Sequence, residues 1–179
     1  DESEERAYAV VTEKNIDLDE ATRREIARVV GLGALKYADL SNNRQSDYIF
    51  DWDKMLSLQG NTAPYLQYVY TRVRSIFRKG EVGALDPASI HLSDPEEIAL
   101  AKHLLNFGQI LESVAAEYRP NFLCNYLFEL AGHFAKFYEA CPVLKAESEK
   151  QSRLILCHLT AKVMKEGLAV LGIEVAEQM

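Results

Sequence analysis

Residues 33–79 read GALKYADLSNNRQSDYIFDWDKMLSLQGNTAPYLQYVYTRVRSIFRK, and the second half of this stretch decides the fold. Set at 100° per residue from Asn61 onward, it separates into two faces. Leu66, Val69, Val73, Ile76 and Phe77 make one apolar side. Tyr65, Tyr68, Arg72, Arg74, Arg78 and Lys79 make the other. Such a helix needs a core for its apolar face and presents rings and cations outward. Cations neutralise phosphate with counterion release, and tyrosines stack or donate hydrogen bonds, so the outer face suits a nucleic-acid backbone. A solvated surface helix carries the same pattern, so the pattern alone leaves both readings open.

Working backward from this helix, Asn61 or Thr62 caps it, Pro64 sits in its first turn, and Gly80 ends it. Tyr48–Phe50 reads as a short strand-like run, followed by a brief helix from the Asp51 cap to Leu58. Residues 41–46, SNNRQS, form a loop, because short polar side chains compete for backbone hydrogen bonds. Asp17 and Glu20 have capping-box spacing for a helix from Leu18 to about Leu40, and Gly31 and Gly33 within it permit close helix packing. Residues 1–15 predict a first helix ending near Asn15.

Working forward, residues 81–93 lack periodicity and read as a loop. Asp94, Pro95 and Glu97 then start a helix expected to run to Pro120 and to bury Ile98, Ala101, Leu104, Leu105, Leu111, Val114 and Ala115. A helix over about 121–141 places Leu123, Tyr126, Leu127, Leu130, Phe134, Phe137 and Cys141 at three- and four-residue steps. A last helix over about 152–171 presents Ile155, Leu156, Leu159, Val163 and Val170, with Gly172 at its end. The expected fold is all-α: a helical bundle preceded by a mostly helical connecting segment, divided at residues 1–60 and 61–179.

The 179 residues are 48% apolar and 26% charged, ordinary for a globular protein able to bury a substantial core. No apolar run is long enough to span a bilayer and the N-terminus has no signal-peptide pattern, so a cytoplasmic chain is expected. A chain beginning at Asp1 rather than Met suggests a fragment or a processed protein. Net charge is −7, but its distribution is uneven. Residues 1–25 hold four bases against nine acids, residues 26–80 eight against four, and residues 81–179 eight against fourteen. The positive excess coincides with the basic helix.

Residue types that carry chemistry are scattered. Cys124, Cys141 and Cys157 are odd in number and widely spaced, which predicts buried thiols rather than a disulfide framework. His91, His103, His133 and His158 lack metal-site spacing, and Asp47, Asp51 and Asp53 read as capping residues rather than ligands. No catalytic or metal-binding residue is expected. Among Tyr126, Phe134, Phe137 and Tyr138, positions 134 and 138 share one helix stripe, and a ring at its solvent edge could receive an unstacked base.

The segment LKYADLSNNRQSDYIFDWDKMLSLQGNTAPYLQYVYTRVRSIFRK closely resembles arginyl-tRNA synthetases where the class I catalytic domain joins the helical anticodon-binding domain. DPEEIALAKHLLNF, YLFELAGHFAKFYEACPVL, SRLILCHLTAKVMKEGLAVLGIE and Met179 resemble the rest of that domain, so the similarity covers nearly the whole chain. The resemblance implies the tRNA-binding C-terminal part of an ATP-dependent ligase that activates arginine, with magnesium, and esterifies it to its tRNA. The nucleotide-binding signatures of such enzymes lie upstream, so this chain by itself is expected to need no cofactor and to catalyse nothing. Its implied partners are the tRNA for arginine and the remainder of the catalytic domain, with no DNA or membrane.

The resemblance places Tyr138, Arg153 and Met179 near the anticodon. The basic helix supplies Tyr68, Arg72, Arg74, Arg78 and Lys79 for the tRNA backbone. The family often ends Pro-Glu-Arg-Met, whereas this chain ends Ala176, Glu177, Gln178, Met179. A helical protein-interaction module without RNA binding is the alternative expectation.

Overall fold

A computed structural model describes residues 2–14, 16–80, 85–86 and 90–177. The expected helix end near Asn15, most of the expected 81–93 loop and Met179 lie outside the described residues. Within them the chain forms eight helices and no strand: α1 (Glu2–Lys14), α2 (Glu20–Leu40), α3 (Trp52–Met55), α4 (Ala63–Gly80), α5 (Pro95–Leu105), α6 (Phe107–Glu117), α7 (Pro120–Ala140) and α8 (Lys150–Val170).

Two apolar cores organise these helices. In the smaller one, α1 and α2 pack as an antiparallel pair around Ala7, Val11, Ile26, Ala27 and Val30. Their close approach depends on Gly31, where a Cβ would lie 2.6 Å from the Ser3 carbonyl oxygen. The larger core joins α4, α5, α7 and α8 through Leu66, Val73, Leu100, Leu123, Leu127, Leu130, Phe137, Met164 and Leu168. Full burial of each such side chain is worth about 1.5–3 kcal/mol. Tyr37 of α2 also enters this core. Its hydroxyl lies 2.5 Å from Asn61 Oδ1 and 2.9 Å from the Cys124 carbonyl oxygen, sharing one proton between two acceptors and fixing α2 to α7.

The helix ends follow local chemistry, with two corrections. Asp94 and Glu97 form the expected capping box with Pro95 in the first turn. Asp51 caps α3 by accepting from the amides of Asp53 and Lys54 at 3.0 and 3.2 Å, and Thr62 Oγ1 accepts from the Tyr65 amide at 3.3 Å at the start of α4. α8 gives way to Gly172 with φ +70°, a conformation most side chains resist. The cap of α2, however, is Asp19 rather than Asp17, because Thr22 offers Asp19 both its amide at 2.9 Å and its hydroxyl at 2.6 Å. The single helix expected after Asp94 is broken at Asn106, which leaves Leu105 83% exposed.

Three further expectations fail on burial and pairing. Tyr48–Phe50 is not a strand: no neighbouring strand pairs with it among the described residues, and Ile49 is 91% exposed. On α5 the buried stripe is Glu97, Leu100 and His103, so Ile98 and Leu105 are exposed, and Ala115 on α6 is exposed as well. Polar residues that find partners occupy part of this interface, and apolar periodicity cannot register them. On α8, Cys157, Thr160, Ala161, Met164 and Leu168 face the core while Leu159 and Val170 face outward.

Candidate nucleic-acid interface

α4 buries Leu66, Val69, Val73 and Ile76 as its apolar stripe predicts, which turns Tyr68, Arg72, Arg78 and Lys79 to the surface. Beside it runs the second half of α7. Ala131 and Ala135 are small residues one helical turn apart, and they leave room between the helices for a cleft of about 430 Å³. Tyr65, Tyr68, Arg72, Phe134, Tyr138 and Glu139 surround it.

Tyr138 is 38% exposed at the rim of this cleft. One side of its ring stacks on Phe134, with centroids 5.8 Å apart and planes at 26°. The Arg72 guanidinium carbon lies 5.2 Å from the ring centroid, within the range of a cation–π contact. The cleft therefore offers aromatic rings and a guanidinium at one place, next to the Glu139 carboxylate. Bases stack on such rings and guanidinium planes, and a carboxylate accepts from base amino groups.

The residues expected in the site divide into five groups. Tyr68, Arg72 and Tyr138 come together at the cleft. Lys79 is exposed at the end of α4. Arg74 and Arg78 are instead engaged by the tail that follows α8: Arg74 Nε donates to Glu177 Oε2 at 3.2 Å, and Arg78 donates to the Glu177 carbonyl at 2.9 Å. Arg153 is 12% exposed and lies inside the bundle, where its Nε donates to Glu97 Oε1 at 2.6 Å and another nitrogen donates to the Pro142 carbonyl at 2.9 Å. Met179 lies outside the described residues. Sequence reasoning missed Ala131, Ala135 and Glu139. The two alanines at a four-residue spacing beside Phe134 and Tyr138 were the available signal.

Nucleophilic chemistry has little footing among the described residues. Cys124, Cys141 and Cys157 are buried and unbridged, and burial pushes their thiols up to about 12, 11 and 12, away from the reactive thiolate. No group of three or more His, Cys, Asp or Glu side chains among the described residues is placed to hold a metal ion. No described helix is long and apolar enough to cross a membrane.

Known proteins with similar sequence cover the same ground. The chain is 56% identical to arginine–tRNA ligases of Hahella chejuensis and Chromobacterium violaceum over 99% of its length, and spans 31% of theirs. In structure it matches the Thermus thermophilus arginyl-tRNA synthetase at a TM-score of 0.90 and 36% identity, over 99% of this chain and 31% of that one. The Plasmodium falciparum arginyl-tRNA synthetase matches at 0.91 and 32% identity, over 99% and 32%. Residues 1–52 match the model for the class I (R) tRNA synthetase catalytic domain, and residues 66–179 match the DALR anticodon binding domain. With most of its length inside the second match, the chain belongs to the DALR anticodon binding domain family.

Proposed function

We propose that the chain is the tRNA-reading C-terminal part of an arginine–tRNA ligase and that the α4–α7 cleft holds bases of the anticodon loop. The exposed Tyr138 and Arg72, brought together by two helices, carry this reading. An unpaired base stacks on the outer plane of the Arg72 guanidinium, which lies over the Tyr138 ring. Tyr68 and Glu139 supply hydrogen bonds to the sugar–phosphate and to base amino groups, and Lys79 adds a phosphate contact further along α4. Arg153 contributes by holding α8 against α5, since its charge is already spent on Glu97.

In the parent enzyme ATP and magnesium would drive arginine activation in the cytoplasm. Among the described residues no acidic cluster is placed to hold magnesium, and the role proposed for the residues of this chain is to bind and orient the tRNA. The division at residues 60 and 61 makes α1–α3 the C-terminal end of the catalytic domain, whose remainder is a partner of this chain. No match to known proteins supports the alternative of a protein-interaction module.

The test is a titration of the chain with arginine tRNA over a range of salt. The expected result is saturable binding whose log K falls linearly with log salt, at about 0.7–0.9 per phosphate contacted. No binding at low salt would sink the reading.

A further inference from the structure

The tail after α8 crosses two helices before its last described residue. Lys36 of α2 donates to the Gly172 carbonyl at 2.5 Å, Ile173 is buried, and the Glu174 carboxylate pairs with Arg28 at 2.7 Å. The buried Gln67 of α4 donates to the Glu174 carbonyl at 2.8 Å. Glu177 then lands on the basic side of α4. Its Oε1 accepts from the Tyr70 hydroxyl at 2.9 Å, its Oε2 accepts from Arg74 Nε at 3.2 Å, and its carbonyl accepts from Arg78 at 2.9 Å.

A carboxylate here occupies the donors that a phosphate would use. Arg74 and Arg78 are two of the four cations of α4, and the protein engages both with its own tail. The tail stays anchored without this contact, because Gly172, Ile173 and Glu174 hold it upstream. Charge at position 177 is thus separable from the path of the tail.

We infer that Glu177 is a built-in counter-charge that withholds Arg74 from RNA phosphate and so lowers the affinity of the basic face of α4 for polyanions. The inference rests on the proposed RNA-binding reading. It makes Glu177 a brake on sequence-independent binding, leaving selection of RNA to the α4–α7 cleft. Burial raises the Glu177 carboxyl, but the bonds from Tyr70 and Arg74 outweigh it and hold the group below the usual range, so it is ionised at neutral pH.

The test measures binding of a labelled oligo(U) to wild type, Glu177→Gln and Tyr70→Phe between 50 and 300 mM salt. Glu177→Gln is expected to steepen the salt slope by about 0.7, one added single-strand phosphate contact. If that contact is worth nothing at 1 M salt, affinity at 50 mM rises about eightfold. Adding Arg74→Gln should return the slope to the wild-type value. Tyr70→Phe removes a tail contact without changing charge and should leave the slope as it was. A Glu177→Gln protein that binds as wild type does would overturn the inference, as would an equal rise in Tyr70→Phe, which would assign the effect to tail anchoring. Arginine tRNA is titrated in parallel. If wild type binds none of it while Glu177→Gln still gains oligo(U) affinity, the proposed function fails and the counter-charge stands.

Discussion

Glu97 is fully buried, yet it keeps a charge because three donors reach it. Arg153 Nε lies at 2.6 Å, and the amides of Ser93 and Asp94 lie at 3.0 and 3.1 Å. Burial pushes the carboxyl up, and the bonds from Arg153, Ser93 and Asp94 together pull it below the usual glutamate range. Glu97's role as a capping residue could be read from Asp94-Pro95-Glu96-Glu97. Its partner could not, since Arg153 lies 56 residues later and a lone arginine on a helix looks like surface. Removing one partner strands a buried charge, which generally costs about 3–5 kcal/mol. Arg153→Met should therefore lower the unfolding free energy from urea titration by an amount in that range, and a value within error of wild type would show that the pair is not needed. The folded pKa of Glu97 is depressed, so its contribution is present above about pH 4.5, the usual glutamate value, and is lost as pH falls through the lower folded value.

Between elements, packing was legible where apolar stripes alone decide it and hidden where polar groups share the interface. α4 buried four of the five residues its period indicates and left Phe77 half-buried against the same core. α5 did not, because His103 lies flat on Tyr126 of α7 at 4.4 Å and 9°, its Nε2 3.1 Å from the Tyr126 carbonyl while the Tyr126 hydroxyl donates to the His103 carbonyl at 3.0 Å. The His133 ring of α7 also meets the His103 ring, with centroids 4.7 Å apart and planes tilted by 35°. Burial lowers the His103 pKa. The Tyr126 carbonyl and Glu129 oppose that shift, and His133 reinforces it. The unfolded chain therefore binds more protons than the folded one between the lowered value and about 6.5, and stability is lost as pH is lowered through that window. Its slope is at most about 1.4 kcal/mol per pH unit. Melting curves between pH 7.5 and 5 should show this loss, and His103→Gln should flatten it; an unchanged slope in the variant would assign it elsewhere. The α1–α2 contact makes a separate demand. Gly31→Ala would drive a methyl against the Ser3 backbone, and amide exchange in α1 should speed up while α7 stays protected. Unchanged exchange in α1 would mean the helices separate at no cost.

Across the whole molecule, the charge tally placed the positive excess in residues 26–80 but could not show how it is spent. Two of the basic helix's cations meet the tail after α8, a contact spanning about a hundred residues that no local pattern encodes. The cleft was half legible: Tyr138 came from family resemblance, Tyr68 and Arg72 from helix period, and only the folded chain showed them as one place. On the proposed reading, what remains available to RNA is therefore narrower than the basic face suggests, and it centres on the ring and guanidinium at the α4–α7 rim. The most direct measurement of that claim is the affinity of wild type and Tyr138→Ala for an arginine-tRNA anticodon stem-loop, taken across a salt series. Tyr138→Ala removes the ring beneath the Arg72 guanidinium on which the base stacks; loss of such a stacking platform costs about 1–3 kcal/mol, roughly 5- to 150-fold in Kd, and removes no phosphate contact. The expected result is weaker binding in that range with an unchanged salt slope and a melting temperature lowered by no more than a few degrees, the share of the lost Phe134 stack. Equal affinity of the two proteins would contradict the account.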